Sequence, residues 1–243
     1  ANRCIAQLLA ETKAASLFIQ HKGVRGDRLE ALQKVLTEHV PQCQGIDIST
    51  LSGFMEAMQA TSNSDELKDY HLLMSRQLEK STLSSSSSPH FGMGLEQYTT
   101  FTSPLRKATD FAIHQQLDSV LSGQISPIDS KTLEMIGEKS SLAKGAVYDV
   151  EQWLKCQFMA KNKDTLEARV QRTFSTGFHV RLVENGIEGF ISTKEMEEKY
   201  SFNQDLLTLT GKSASYKLDQ LVQVRLKQVD WSRKQLQFDI VPS

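Results

Sequence analysis

Apolar residues recur every three or four positions through much of the first two thirds of the chain. Near residue 30, for example, Leu29, Leu32, Val35 and Leu36 fall on one face of a helix. A short alternating stretch at residues 16–21 instead predicts a strand. The helices that the spacing predicts cover residues 1–15, 27–39, 49–60, 65–79, 104–121 and 129–160, the last as one long helix or two shorter ones.

After residue 160 the spacing changes from helical to alternating. The charged run at residues 161–164 marks this change, and we place a domain boundary there, with domains at 1–162 and 163–243. Phe178, Val180 and Leu182 share one face of a strand and are predicted to lie in the core. The candidate strands cover residues 170–174, 177–183, 187–191, 220–229 and 235–241. This pattern favours a five-stranded OB-type (S1-like) β-barrel after a mainly helical part, so the predicted fold class is α+β.

A serine run and a glycine-bearing aromatic segment precede the fifth predicted helix. The serines at 84–88 predict a mobile loop, and residues 89–110 read Pro-His-Phe-Gly-Met-Gly-Leu-Glu-Gln-Tyr-Thr-Thr-Phe-Thr-Ser-Pro-Leu-Arg-Lys-Ala-Thr-Asp. Ser103 can cap the helix, Pro104 suits its first position, and Gly123 can end it. A helix N-terminus with Arg106 beside it favours an anion, so the segment predicts a phosphate site.

Composition adds little to this picture. The formal net charge is −1, so any affinity for nucleic acid would depend on the local placement of lysine and arginine. The three cysteines are widely spaced and form no Cys-x-x-Cys pair, which fits a reducing compartment, and we expect a cytoplasmic protein. No apolar run approaches the length of a bilayer, and a membrane is not an expected partner.

The segment at 90–107 resembles the signature near the end of the catalytic domain of the ribonuclease II family. The similarity runs from the Ala1-Asn2 segment to a C-terminal part that looks like an S1-type RNA-binding module. The resemblance implies a processive 3′ to 5′ exoribonuclease of single-stranded RNA, active in mRNA decay with Mg²⁺. The family's metal-binding aspartates precede the segment matched here. We therefore expect a C-terminal portion that lacks the metal ligands, is inactive alone, and works with a missing N-terminal part of the same polypeptide.

The resemblance also implies roles for residues of the first domain. Arg106 matches the arginine that contacts the phosphate next to the bond being cut, and His90 matches the motif histidine, so both are candidate catalytic residues. Tyr98 and Ser103 are candidate RNA contacts. Asp110 and His114 lie four residues apart on one helix face, and we expect them to form a local pair rather than a metal site.

In the barrel, the S1 pattern places further candidate RNA contacts. His179 stands where many members have an aromatic residue, and Ser192 stands where many have histidine. These changes predict that the barrel binds RNA more weakly and mainly through electrostatic contacts. The candidate RNA-binding residues of this domain are His179, Arg181, Ser192, Lys227, Asp230 and Lys234.

Two departures from the family leave an alternative open. Ala108 replaces a usual tyrosine, and Val147 stands where ribonuclease II often has a glutamate that contacts ribose, which puts strict selectivity for RNA over DNA in doubt. The first interpretation is an exoribonuclease. The alternatives are a non-catalytic RNA-binding or regulatory relative and, from a third class, a protein–protein scaffold without salt-dependent RNA affinity.

Overall fold

A computed structural model describes residues 1–12, 16–62, 64–124 and 127–241. The contacts divide the chain into two compact units, Ala1–Lys144 and Gly145–Ser243. The helices are α1 (Asn2–Glu11), α2 (Gly26–His39), α3 (Leu51–Ser62), α4 (Lys68–Arg76), α5 (Ala108–Leu121) and α6 (Ser130–Met159). The strands are β1 (Phe18–Gln20), β2 (Thr82–Ser84), β3 (Thr165–Phe174), β4 (Gly177–Leu182), β5 (Glu188–Ser192), β6 (Ser201–Asn203), β7 (Thr208–Thr210), β8 (Ser215–Tyr216), β9 (Leu221–Asp230) and β10 (Gln235–Ile240).

The helices predicted from the apolar spacing are present, with shifted ends. In α2 the predicted face is buried at Leu32, Val35 and Leu36, because these residues pack inside the first unit. The helix predicted from residue 65 begins as a short 3₁₀ turn, and α4 ends at Arg76 rather than at residue 79. The end of the first predicted helix, residues 13–15, lies outside the described residues.

The serine run begins in a strand, so the prediction of a loop is wrong for Ser84. β2 ends at Ser84 and pairs antiparallel with β1, where Phe18 lies opposite Ser84. The carbonyl of Ser85 accepts a hydrogen bond from the N–H of Ser16 at 3.1 Å. Serine composition alone missed this strand because the pairing partner lies far away in the sequence.

The start of α5 also differs from the prediction. The helix begins at Ala108, and Ser103 does not cap it. The N–H of Ser103 donates to Asp110 Oδ2 at 2.9 Å, while its carbonyl accepts the N–H groups of Arg106 and Lys107. This arrangement closes a separate turn before the helix.

The end of α5 follows the prediction for Gly123. Its φ is +70°, a conformation that glycine adopts without a steric penalty. The N–H of Gly123 donates to the carbonyl of Val120 at 3.1 Å. The N–H of Gln124 donates to the carbonyl of Ser119 at 2.9 Å. These two bonds form a Schellman motif, which ends the helix.

α6 is a single helix of 30 residues. Asp129 caps it, since its carboxylate accepts the N–H of Thr132 at 2.8 Å and the hydroxyl of the same residue at 2.7 Å. Cys156 and Met159, near its C-terminal end, are buried in the barrel core. Within the described parts of the chain, neither α6 nor any other helix is long and apolar enough to span a bilayer.

The second unit contains the predicted five-stranded barrel. Its strands close in the order β10-β5-β4-β3-β9. Phe178, Val180 and Leu182 are buried in its core, as the alternation predicts. Together with the helices of the first unit, the barrel confirms the α+β fold class.

A small antiparallel sheet of β6, β7 and β8 lies between β5 and β9 in the sequence and was not predicted. Leu209 of β7 and Tyr216 of β8 are buried in the same core as the barrel strands. Strands of two or three residues are too short to show an alternating pattern, and their stability comes from this packing.

Candidate functional site

One candidate site is the loop of residues 99–107, called here the motif loop, which α5 holds in place. Asp110 of α5 is fully buried and accepts hydrogen bonds from the N–H of Ser103 at 2.9 Å and the hydroxyl of Thr109 at 3.0 Å. Burial alone would raise the pKa of Asp110, but hydrogen bonds from Thr100, Ser103 and Thr109 outweigh it and lower that pKa. A buried, ionised carboxylate therefore fixes the loop.

His114 of α5 holds the same loop from the next helical turn. Its Nε2 lies 2.9 Å from the carbonyl oxygen of Phe101, so this nitrogen carries the proton and donates. The two rings are stacked, with centroids 4.0 Å apart. The local pair predicted for Asp110 and His114 is wrong, because each side chain bonds to the motif loop instead.

Arg106 lies in the turn of the motif loop, directly before α5 and not in its first turn as predicted. The side chain of the neighbouring Leu105 is fully exposed, which shows that the turn faces solvent. Among the described residues, no carboxylate forms an ion pair with Arg106. A cation next to the positive end of α5 is electrostatically unfavourable unless an anion binds there.

His90 occupies a packed cluster in the first unit. Its ring centroid lies 5.0 Å from that of His21 and 5.3 Å from that of Tyr98. Burial, and then the nearby His21, lower the pKa of His90, so the ring is neutral at neutral pH. The Tyr98 hydroxyl accepts a hydrogen bond from the Asn2 amide at 2.9 Å.

The position of the His21 ring explains why residue 92 of the motif is a glycine. Its Nδ1 accepts the N–H of Gly92 at 2.7 Å, and its Nε2 donates to the carbonyl of Glu79. A Cβ on Gly92 would lie 2.8 Å from the His21 ring, so a larger residue would displace it. No hydrogen bond or ring contact within the described residues connects His90 with Arg106.

A second candidate site lies on the outer face of the barrel. The strand register places Arg172, His179, Phe190 and Gln237 side by side on β3, β4, β5 and β10. The His179 ring lies 5.1 Å from Phe190 and 5.8 Å from Phe174. Burial is the main cause that lowers the pKa of His179, so this small aromatic surface carries no ring charge at neutral pH.

Sequence reasoning found His179 but missed its two aromatic neighbours, Phe174 and Phe190. Phe190 lies between the buried Gly189 and Ile191, so alternation along β5 could have assigned it to the outer face. Its position next to His179 depends on the β4–β5 register, which the sequence does not show.

Three of the other predicted barrel residues bond to groups close to them in the sequence. Arg181 is exposed and its Nε donates to the carbonyl of Gly186 at 3.2 Å. Ser192 Oγ accepts the N–H of Lys194 at 3.3 Å. Asp230 accepts hydrogen bonds from the Ser232 hydroxyl and the Arg233 N–H, which lower its pKa.

Both predicted lysines form ion pairs within the chain. Lys227 Nζ lies 3.0 Å from Glu195 and 3.3 Å from Asp239, and Lys234 pairs with Asp149. Arg172, which sequence reasoning did not select, is exposed on β3. The cations most available beside His179 are therefore Arg172 and Arg181.

The described residues do not fit a catalytic metal centre. Across residues 1–12, 16–62, 64–124 and 127–241, no group of three or more histidine, cysteine, aspartate or glutamate side chains could hold a metal ion. Near Arg106, the carboxylate of Asp110 already accepts hydrogen bonds from Ser103 and Thr109.

Ala108 and Val147 are the two positions where the resemblance leads us to expect other residues. Their side chains are exposed on α5 and α6, respectively.

These features define a class of protein before any comparison: a helical unit joined to a closed OB-type barrel, the kind of barrel that binds oligonucleotides. Comparison with family models gives the family. Residues 1–123 match the RNB domain and residues 160–240 match the S1 RNA binding domain. The chain belongs to the RNB family, which confirms the resemblance inferred from residues 90–107.

Curated relatives and solved structures agree with this assignment. Exoribonuclease 2 of Haemophilus influenzae is 30% identical over 247 residues, covering 94% of this chain and 37% of the relative. Exoribonuclease 2 of Pasteurella multocida is 29% identical with the same coverage. Mycoplasma genitalium RNase R, solved with ribose-methylated single-stranded RNA, has a TM-score of 0.76 at 20% identity, over 99% of this chain and 40% of that one. The chain thus spans less than half the length of these relatives.

Proposed function

We propose that the protein containing this chain is an exoribonuclease that hydrolyses single-stranded RNA from its 3′ end in mRNA decay. Membership of the RNB family supports the reaction class, and relatives named Exoribonuclease 2 match 94% of the chain. The observation that carries the proposal is the motif loop, which Asp110 and His114 fix while Arg106 stays exposed.

In this proposal Arg106 binds a backbone phosphate near the reacting bond. A guanidinium group can donate two parallel hydrogen bonds to phosphate oxygens, and the adjacent N-terminus of α5 adds a favourable dipole. Because Asp110 and His114 fix the loop before RNA binds, little ordering is needed on binding. His90 then has a supporting role, since its ring packs against His21 and Tyr98.

The barrel would bind the RNA strand through its outer face. Bases can stack on Phe174, His179 and Phe190, while Arg172 and Arg181 bind phosphates. Stacking is tolerant of sequence, because every base has an aromatic face. This fits a general decay activity better than recognition of one RNA sequence.

The proposed reaction requires residues beyond those described. A divalent cation such as Mg²⁺, which the family resemblance implies, would have to be bound by other residues of the protein. We accordingly propose that this chain alone does not cleave RNA. Cys4, Cys43 and Cys156 are free thiols, which suits the proposed cytoplasmic setting.

The decisive experiment compares the full-length protein with its Arg106→Ala variant on a 5′-labelled single-stranded RNA. We expect kcat to fall about 100-fold or more, in the range seen when one charge-stabilising donor is lost. RNA affinity should change little, because the barrel is intact. Arg3→Ala, which removes an exposed arginine of α1, is the matched control.

Equal turnover by the wild-type protein and the Arg106→Ala variant would overturn the assigned role of Arg106. RNA binding without any cleavage by the full-length protein would instead support the non-catalytic RNA-binding alternative. Four positions where the resemblance leads us to expect other residues favour that alternative: Ala108, Val147, His179 and Ser192.

The barrel surface is tested separately on the 243-residue chain. Phe174→Ala should weaken binding of a fluorescent single-stranded RNA by about fivefold or more, since stacking contributes about 1–3 kcal/mol per base. Phe158→Ala removes a phenylalanine of α6 that is even more exposed than Phe174, and it should have no effect. Similar RNA affinity of the two variants would exclude this surface.

A further inference from the structure

The unit Gly145–Ser243 also contains an open groove of about 1160 Å³. It is bordered by the segment that follows β5, by β8, by the start of β9 and by the end of β10. Sites for drug-sized ligands enclose about 300–1,000 Å³. The groove is therefore large enough for a chain segment.

Two barrel strands, β5 and β10, lie along this groove. β5 and β10 pair at a single position, where Phe190 lies opposite Gln237. Both strands continue past this pair, to Ser192 and Ile240, and line the groove there. Because β5 and β10 are joined by only this one register pair, the border can admit an extended peptide that bonds to strand backbone.

The charged side chains of the groove are mainly acidic. Among the lining residues the structure describes, Glu195, Glu197, Glu198 and Asp239 oppose Lys227, which leaves a net charge of −3 from four carboxylates and one ammonium group. Burial raises the pKa of Glu198, but hydrogen bonds from Ser213 and its neighbours bring it down to about 2, so this carboxylate is ionised near neutral pH. The groove therefore repels RNA phosphates and attracts a basic partner.

The rest of the lining combines apolar side chains with uncharged polar ones, the latter being Ser192, Ser213, Ser215, Gln220 and Gln223. Ile191 and Tyr216 are nearly fully buried, and Met196 and Ile240 are partly exposed beside them. In an extended peptide, alternate side chains point to opposite sides, so one set can contact these residues while the other faces the carboxylates.

We propose that this groove binds an extended segment of a partner protein in which basic and apolar residues alternate, added along β5 and β10. The proposal does not depend on exoribonuclease activity, because it concerns a surface whose charge is opposite to that expected for RNA binding. It assigns the barrel unit a protein-docking surface besides its proposed RNA surface.

The test uses the 243-residue chain and a short fluorescent peptide of alternating lysine and valine. We expect saturable binding that weakens about two- to fivefold in Glu197→Gln, the effect of one exposed charge. Glu184→Gln, at an exposed position in the β4–β5 turn, should bind like the wild type. Amide NMR shifts should change at residues 191–192 and 239–241 and not at His179.

Three outcomes would overturn the proposal. The peptide could fail to saturate the wild-type chain, or it could be displaced by a single-stranded RNA, which would assign the groove to RNA. A peptide of lysine alone, or spermine, could bind as tightly as the alternating peptide, which would indicate a simple polycation site.

Discussion

At the residue scale, Asp110 has the strongest effect on the motif loop. Its side chain is fully buried, yet it remains ionised because it accepts hydrogen bonds from the loop and its surroundings. The Asp110 carboxylate is the hydrogen-bond acceptor of the Ser103 N–H, at 2.9 Å. Loss of the charge would therefore affect the loop directly and α5 only secondarily.

We expect Asp110→Asn to destabilise the chain by about 1.5–3 kcal/mol, the value of hydrogen bonds to a charged group. The amide replaces one acceptor oxygen with a donor that faces the Ser103 N–H or the Thr109 hydroxyl. Urea unfolding monitored by circular dichroism measures the change. Asp118→Asn, at an exposed position on the same helix, should leave the midpoint unchanged, and equal effects of both variants would contradict this role.

Glu198 provides a pH test in the barrel unit. Its carboxylate accepts N–H groups of Lys212, Ser213 and Ala214, and its pKa is lowered from 4.5 to about 2. The folded state therefore binds the proton less tightly than the unfolded chain. The stabilisation is complete above about pH 4.5 and is lost as the pH falls towards 2.

Glu198→Gln should accordingly lower the thermal unfolding midpoint at pH 6 and have little effect near pH 2. Differential scanning calorimetry across this range measures the difference from the wild type. Glu184→Gln serves as the control, with no difference at either pH. A difference for Glu198→Gln that stayed constant with pH would contradict the assigned hydrogen bonds.

At the scale of elements, two glycines show where backbone geometry limits the sequence. Gly177 begins β4 with a φ of +149°, and a Cβ there would lie 2.1 Å from the carbonyl oxygen of Ile191 on β5. Gly145, within α6, has no atom within 4 Å of such a Cβ. The first glycine is required by the barrel, whereas the second only weakens a helix.

Gly177→Ala should destabilise the barrel by about 1–3 kcal/mol through backbone strain alone, with the clash against β5 adding to it. Gly145→Ala should stabilise α6 by about 0.5–1 kcal/mol, because alanine loses less conformational entropy. Both changes can be measured by chemical denaturation. Effects of the same sign would show that the two positions are not distinguished by packing.

At the scale of the whole molecule, charge is balanced rather than concentrated. The formal net charge is −1, and Lys227 and Lys234 are already paired with carboxylates. The proposed affinity for RNA would then depend on a few local cations, among them Arg172 and Arg181. This differs from proteins whose overall positive charge attracts nucleic acid.

The expected consequence is a weak salt dependence of RNA binding. The two phosphates that Arg172 and Arg181 would neutralise should contribute about −1.4 to the slope of log K against log salt for a single strand. Arg172→Ala should reduce its magnitude by about 0.7. Anisotropy titrations at several salt concentrations measure both slopes, and a much steeper wild-type slope would mean that additional cations contact RNA.

The sequence by itself determined the long helices and the five barrel strands, because periodic burial repeats within each element. It also determined the family and the exposed Arg106, since the motif at 90–107 is continuous in the chain. The end of α5 at Gly123 followed from one residue's backbone preference. These are local features, and local patterns are sufficient to predict them.

Only the tertiary structure decided features that join distant residues. The pairing of β2 with β1, the small β6–β8 sheet and the aromatic contacts of His179 depend on strand register. Asp110 and His114 bond to different residues of the motif loop, Ser103 and Phe101, because that loop folds back onto α5. Hydrogen bonds and packing between distant segments set these arrangements, and no single stretch of sequence contains that information.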